Sequence, residues 1–436
     1  MRYAIVGFGT AGYHAAEAIR CYDKTGEIHV YGNTGLAPYN PMLTTYYVFG
    51  KLDHDGLFPF GNLEEILARL DLTYHHETVK KVHAADRSVE TEHETQCYDR
   101  VLIATGATAF APPVKGLAPE DTFLMRTVED AERLKERLER APARSTIVVG
   151  ASMAGIKVVE VLAKYGVRTC LADLAKNIFP LAAYPEVAAA IERRVEQKGI
   201  DLRFGVTIDH MEVKNGQKTA VMTDGSEIPA DLVALCIGTR AATGLVQGEV
   251  EINRGIVVNE RMETSAPGIY AAGDCCEGNN LESGQTQIIG LWANANHQGT
   301  VAGINMAGGN ARFEGNILHN ITHFMDMDFI GFGDNRIQGE TLVFGSLKQG
   351  LYLKAVCRDG RIAGVNILDS YPVSGMIKNY MLRLFREPES RLPPFQIGML
   401  VKAGLTEEFI ERLEAAVHGD QGSAAESENS VPGNGN

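Results

Sequence analysis

The fold class predicted is α/β, two copies of one strand–helix–strand unit with a smaller α+β segment behind them. Three observations predict it. Residues 3–33 read as strand, glycine turn, helix, strand: YAIVGFGTAGYHAAEAIRCY, then EIHVYGN. Residues 145–173 repeat that plan: STIVVGASMAGIKVVEVLAKYG, then VRTCLAD. Residues 318–400 read as strands (LVFGS, LYLKAVCRDGRIAGVNIL) followed by a helical end. Strand, glycine turn, helix and strand within about thirty residues is the pattern of a dinucleotide-binding βαβ unit. Two copies imply two Rossmann-like domains, each with its own nucleotide.

The remaining elements follow in order. Between the copies lie a Pro-bearing loop (36–60), a helix (62–70) and short strands ending in YDRVLIATGATAFAPP. After the second copy come a helix (185–198), further strands and GIYAAGDCCE, and the chain returns to the first domain through a helix at 291–307. PPFQIGMLVKAGLTEEFIERLEAA (393–416) reads as an amphipathic ending suited to docking a partner or folding back on its own domain. The polar GDQGSAAESENSVPGNGN is too poor in apolar residues to order itself.

Composition narrows the function. A chain of 436 residues with 45% hydrophobic content holds two or three packed domains. A net charge of −14 argues against general affinity for nucleic acid or anionic membrane. No run of eighteen apolar residues exists to span a bilayer. MRYAIVGFGTAG goes straight into a strand and a glycine loop, which leaves no room for a signal peptide. The seven cysteines (21, 97, 170, 236, 275, 276, 357) include no CxxC. A reduced, cytoplasmic protein is expected, with no disulfide framework and no metal site.

GFGTAG supplies Gly7, Gly9 and Gly12 in the GxGxxG spacing. The first glycine makes the tight turn, the second lets the backbone approach a pyrophosphate, and the third lets helix pack on strand. The helix N-terminus then offers free N–H groups to the phosphates. The acid that usually ends the second strand and binds the adenine ribose is replaced by Asn33, or by Tyr31 nearby. In the second loop, GASMAG, Gly150 and Gly155 flank Ser152. There the serine narrows the approach but brings a hydroxyl. Asp173 ends the following strand. A carboxylate there accepts from ribose hydroxyls and repels a 2′-phosphate, which favours NAD over NADP.

GFGTAG, IATGATAFAPP (103–113), GASMAGIKVVE (150–160), GTRAATG (238–244) and GIYAAGDCCE (268–277) occur in that order over residues 3–310. Together they resemble the pyridine nucleotide–disulfide oxidoreductases, a family of two-dinucleotide flavoproteins. PYNPM (38–42) and LWANANHQGTVAGINMAG (291–308) place the resemblance in the branch of rubredoxin reductases, nitrite reductase flavin domains, coenzyme A disulfide reductases and NADH oxidases. The resemblance implies FAD in the first domain and NAD(P)H in the second. It assigns residues 1–115 and 246–315 to FAD, 116–245 to NAD(P) and 316–416 to a C-terminal interface or dimerisation domain, with a disordered tail at 417–436. By the same resemblance, Ala104, Thr105 and Gly106 form the turn where the chain crosses between domains. Asp274, after Gly273, bonds the ribityl chain or a nearby phosphate, and Val79 borders the adenine. Gly238 joins the cofactor set. The helix from Trp292 points its N-terminus at the flavin pyrimidine, where its dipole favours anionic reduced flavin.

The departures from the family pattern carry information. Classical relatives need a CxxxxC pair early in the first domain, and only Cys21 lies there, buried on its helix by pattern. Single-cysteine relatives place that cysteine where Met42 stands, and a thioether forms no mixed disulfide or sulfenate. Met42 is then expected to pack near the flavin. Lys157 stands where the family has a glutamate, so the local charge is inverted and Lys157 becomes the candidate catalytic residue, beside flavin N5 or the nicotinamide. Cys275 and Cys276 are expected to pack rather than cycle. His319 and His323 are spaced to share a helix face, with no third ligand indicated.

The expected function is transfer between NADH and a separate redox partner, a ferredoxin or an iron–sulfur subunit. The chain would work as a homodimer or as the flavin subunit of a larger 2-oxoacid dehydrogenase of the phenylglyoxylate type. Two rivals stand beside it: a self-sufficient NADH oxidase or small-molecule reductase, and a non-catalytic nucleotide sensor.

Overall fold

The computed structural model describes residues 1–140 and 143–419. They form two compact units, one of residues 1–180 and 188–318, the other of 181–187 and the chain from His319 onward.

The first unit is built on two five-stranded parallel sheets. In one the order is Ile269–Ala271, Arg100–Ile103, Arg2–Val6, Glu27–Tyr31, Leu72–His75. In the other it is Asp201–Phe204, Arg168–Asp173, Ser145–Val149, Leu232–Leu235, Thr122–Phe123. The strand before each glycine loop lies in the middle of its sheet. Both are near-continuous apolar runs because both faces are covered: Ala4, Ile5, Ile147 and Val148 are fully buried. The helices of this unit are α1 (Thr10–Tyr22), α2 (Thr44–Phe49), α3 (Leu63–Leu70), α4 (Val128–Arg140), α5 (Met153–Lys164), most of α6 (Pro185–Gln197) and α7 (Trp292–Met306). Each predicted helix is found one residue shorter at one or both ends, because the outermost residue is a cap. Asn62 is an example, its side chain accepting from Glu65 N at 2.9 Å.

α7 lies against α1 along a seam of glycines. A Cβ on Gly299 would stand 2.2 Å from Ala11 O, and one on Gly303 2.4 Å from Ala15 O. The two backbones touch, so only glycine fits. The packed side of α1 also includes Tyr13, Ala16, Ala18 and Ile19. Cys21 falls off it and is exposed, contrary to the expectation of burial.

An antiparallel meander (Lys81–His83, Ser88–Glu90, Thr95–Cys97) follows the edge strand Leu72–His75. The two stretches that carry the chain between the sheets pair with each other: Ala107–Ala109 runs antiparallel to Thr239–Ala241.

The second unit is a five-stranded antiparallel sheet in the order His319–Phe324, Met327–Gly333, Arg361–Leu368, Tyr352–Arg358, Glu340–Gly345. α8 (Tyr371–Arg386), α9 (Pro394–Lys402) and α10 (Glu407–His418) follow. His319 and His323 therefore share a strand, not a helix. An even spacing keeps them on one face in a strand as well. The ending at 393–416 is two helices, broken at Gly404 with φ +111° and restarted by Thr406, whose hydroxyl accepts from Phe409 N. Val417 and His418 complete α10, so the predicted tail starts too early. Its remainder, 420–436, lies outside the described residues. No described helix is long and apolar enough to cross a membrane.

Candidate functional site

In the first glycine loop Gly7 has φ +100°, and a Cβ there would stand 2.3 Å from Ala104 O. A Cβ on Gly12 would stand 2.2 Å from Gly7 O. These two glycines let α1 press on its strand and on the Ala104–Gly106 turn. Gly9 is different: no atom lies within 4 Å of the point its Cβ would occupy. Gly9 is also the N-cap of α1 and brings no capping side chain. Thr10 Oγ1 in that first turn is buried without a hydrogen-bond partner. An uncapped first turn without an acid, facing open space over a glycine, suits an anion.

The second loop keeps the outer glycines for the same reason. A Cβ on Gly150 (φ +112°) would meet Cys236 O at 2.3 Å, and one on Gly155 would meet Gly150 O at 1.9 Å. Ser152 closes this loop on itself: its hydroxyl donates to Cys236 O at 3.0 Å and accepts from Gly155 N at 3.3 Å. Asp173 ends its strand as expected, with its oxygens accepting from Ala151 N at 2.7 Å and Ala175 N at 2.8 Å. A carboxylate has acceptor capacity beyond two bonds, so ribose hydroxyls remain within its chemistry.

The crossing turn is locked by Thr105, whose hydroxyl donates to Ala242 O at 2.7 Å, and by Ala242 N donating to Gly106 O at 3.0 Å. Gly238 O accepts from Phe110 N at 2.9 Å. Gly238 has φ +104° and nothing near its missing Cβ, a second open glycine on this seam.

Asp274, behind Gly273 (φ +86°), accepts from Arg126 Nη2 at 2.7 Å. Arg126 was not legible as a site residue. The stretch around it, MRTVEDA, opens a helix: Thr127 and Asp130 bond each other reciprocally across the first turn of α4. That box holds Arg126, whose own N–H donates to Asp130 Oδ2 at 3.0 Å. The distance in sequence from Asp274 hid the pair.

α7 begins at Trp292 with no capping side chain. Trp292 Nε1 is buried without a partner. The indole stacks on Phe60 at 5.9 Å, and Phe60 stacks on Tyr13 at 4.1 Å. Met42 sits in a one-turn helix, Pro41–Leu43, fixed by Asn40 Oδ1 accepting from Met42 N at 3.1 Å. Its side chain is 61% exposed. Val79 is half-buried against the core beneath the meander. Asn33 lies two residues past its strand and is exposed, with its carbonyl 3.3 Å from His76 Nε2.

Lys157 does not stand alone. It is buried, and its ammonium pairs with Glu160, also buried, one turn on along α5. Lys51 brings a second ammonium to 3.9 Å from Glu160, and Lys157 Nζ lies 4.3 Å over the Tyr46 ring.

Cys275 and Cys276 are buried and packed. Cys275 Sγ lies 3.3 Å from Ile103 O, and Cys276 Sγ 3.4 Å from Gly273 O. The hydrogen bond between the thiols holds Cys275 below the ordinary thiol range and pushes Cys276 well above it.

Two parallel sheets, each with a glycine loop at the head of a central strand, joined by paired crossing strands, define a two-dinucleotide oxidoreductase. Residues 1–299 match the family model described as pyridine nucleotide-disulphide oxidoreductase, and the chain belongs to that family. It is a flavin-dependent NAD(P)H oxidoreductase with FAD and NAD(H) as cofactors. Over 392 residues it is 27% identical to subunit epsilon of the NADH-dependent phenylglyoxylate dehydrogenase of Aromatoleum evansii, covering 88% of this chain and 91% of that one. It is 26% identical to the NADH oxidase of Methanocaldococcus jannaschii, covering 89% and 92%. The fold matches that of the NAD-dependent persulfide reductase from A. fulgidus with a TM-score of 0.83 at 24% identity, covering 93% of this chain and 79% of that one. The open face of Gly9, the uncapped first turn of α1 and the unpartnered Thr10 hydroxyl fit a dinucleotide pyrophosphate.

Proposed function

We propose that this chain passes electrons between NAD(H) and a separate redox protein, a ferredoxin or an iron–sulfur subunit. Met42 is the observation that carries the proposal: an exposed thioether stands on the segment where a redox thiol would be needed for internal relay. The vicinal thiols do not replace it, being buried and bonded to backbone carbonyls. Bound FAD takes electrons in pairs and releases them singly, which suits a junction between a hydride donor and a one-electron centre.

The chain's own residues would bind and orient. Gly7, Gly9 and Gly12 hold the FAD pyrophosphate on α1. Asp274, its carboxylate steered by Arg126, takes a hydroxyl of the ribityl chain. Trp292 and the start of α7 would border the flavin, Met42 would pack near it, and Val79 and Asn33 would serve the adenosine end. Gly150, Ser152, Gly155 and Asp173 hold NAD(H), and Gly238 leaves room beside the crossing turn. Lys157, paired with Glu160, sets the charge at the seam between the two nucleotides. The likeness to a dehydrogenase subunit supports a place as the flavin subunit of a multi-subunit enzyme.

An anaerobic visible-spectrum titration with NADH, then with ferredoxin and with dioxygen as acceptors, tests this. Expected is bleaching within the mixing time, then rapid reoxidation by ferredoxin and slow reoxidation by dioxygen. Dioxygen turnover as fast as ferredoxin reduction would support the second reading, a self-sufficient oxidase, which the likeness to the archaeal NADH oxidase favours.

A further inference from the structure

Away from the glycine loops, three ligating side chains converge beside the edge strand Leu72–His75. Ligand atoms of His75, Glu77 and Glu94 all lie within 4.8 Å of one another. His75 ends the strand, Glu77 follows two residues on, and Glu94 stands just before the last meander strand. Neither carboxylate has an ion-pair partner among the described residues. Glu94 accepts only from the neutral amide of Gln96, at 2.5 Å. Glu77 Oε2 is buried and accepts nothing. Two like charges this close, one with an orphaned buried oxygen, call for a cation between them.

The histidine is held as a ligand would be. Its ring stacks on Tyr31 at 4.4 Å, nearly parallel. Its Nε2 lies 2.9 Å from His29 Nδ1, and His29 Nε2 lies 3.6 Å from Glu27 Oε2. The bond to His29 orients the ring and occupies Nε2, so Nδ1 is the nitrogen left for a ligand. Metal-bound histidines are commonly oriented by such a bond from the other ring nitrogen.

We propose that His75, Glu77 and Glu94 form a binding site for a divalent first-row transition ion of the zinc or manganese kind. One imidazole and two carboxylates suit such ions better than magnesium, which prefers oxygen and water alone. Three protein ligands leave further positions for water. The ion would tie the meander to the edge strand and steady residues 77–79, the approach to Val79. The sequence raised no such expectation, because Glu94 is brought in only by the meander.

The test is calorimetric titration of the FAD-loaded chain, stripped with chelator and dialysed, with Zn²⁺, Mn²⁺ and Mg²⁺ in turn. Expected is one Zn²⁺ or Mn²⁺ per chain with no saturable Mg²⁺ binding. Affinity should fall at least ~10-fold in Glu77→Gln and in Glu94→Gln, and hold in Glu92→Gln on the same hairpin. Flavin absorbance reports that each variant is folded; should Glu77→Gln lose it, the exposed Glu94→Gln decides. Absence of stoichiometric binding, or unchanged affinity in the folded glutamine variants, overturns the site and leaves adventitious surface coordination only.

Discussion

The two glycine loops share a backbone and part company at one residue. In both, the first glycine is left-handed and lies against a carbonyl, and the third lies against the carbonyl of the first. In the middle, Gly9 opens on space while Ser152 turns its hydroxyl inward. The GxGxxG pattern therefore mixes two kinds of glycine. The outer pair is demanded by helix–strand packing whether or not a nucleotide binds. The middle position carries no such packing demand, and it is the one that changed.

The largest effect should come from breaking the outer pair. Gly12→Val and Gly155→Val each push a side chain into a backbone oxygen, and each should cost about 3 kcal/mol or prevent folding. Thermal midpoints by circular dichroism check this; a wild-type midpoint in either variant would refute the packing origin of these glycines. Next comes the feature that only the second loop's helix carries, the buried pair Lys157–Glu160. Lys157→Met removes the buried ammonium paired with Glu160, at a cost of about 2–3 kcal/mol. Adding Glu160→Leu should restore most of that in urea unfolding. A double variant no more stable than the single one would show that the pair is not the source.

The middle positions sharpen the contrast. Ser152→Ala removes a cap and should cost about 1 kcal/mol. Gly9→Ala should change stability by no more than about 0.5 kcal/mol yet weaken FAD binding roughly tenfold, read by flavin fluorescence on dilution. Equal effects on stability would erase the distinction between the loops.

The smallest effect lies in α1 itself. Burial holds His14 below its ordinary value of 6.5, with Glu17 pulling the other way. The folded chain thus binds fewer protons at His14 than the unfolded chain just below pH 6.5. Its contribution is complete above that pH and is lost as pH falls, by at most about 1.4 kcal/mol per pH unit. His14→Asn should flatten the dependence of urea midpoints between pH 7 and 5; an unchanged slope rejects His14 as its source.

The sheets, the glycine loops and the crossing turns were legible because each depends on local pattern: apolar runs, glycines, strand-end acids. What escaped depends on contacts distant in sequence or on a shift along a helix. Arg126 reaches Asp274 across the interior, and nothing near Arg126 announces it. Lys157 looked like a reversal of charge because its position was read alone. Glu160, one turn along, pairs with it, and Lys51 reaches the same carboxylate from the far segment. Cys21 was placed inside by the helix pattern of α1, but it lies beyond the last buried residue, Ile19.

Thr105 and Gly106 meet Ala242 where the chain leaves the first parallel sheet and where it comes back. Departure and return are one hydrogen-bonded step apart. The segment that carries the second sheet therefore has the anatomy of a cassette inserted at a single point of a host. Residue 106 joined to residue 242 would close the host over a gap already bridged by its own backbone, and the excised piece would leave with its ends side by side.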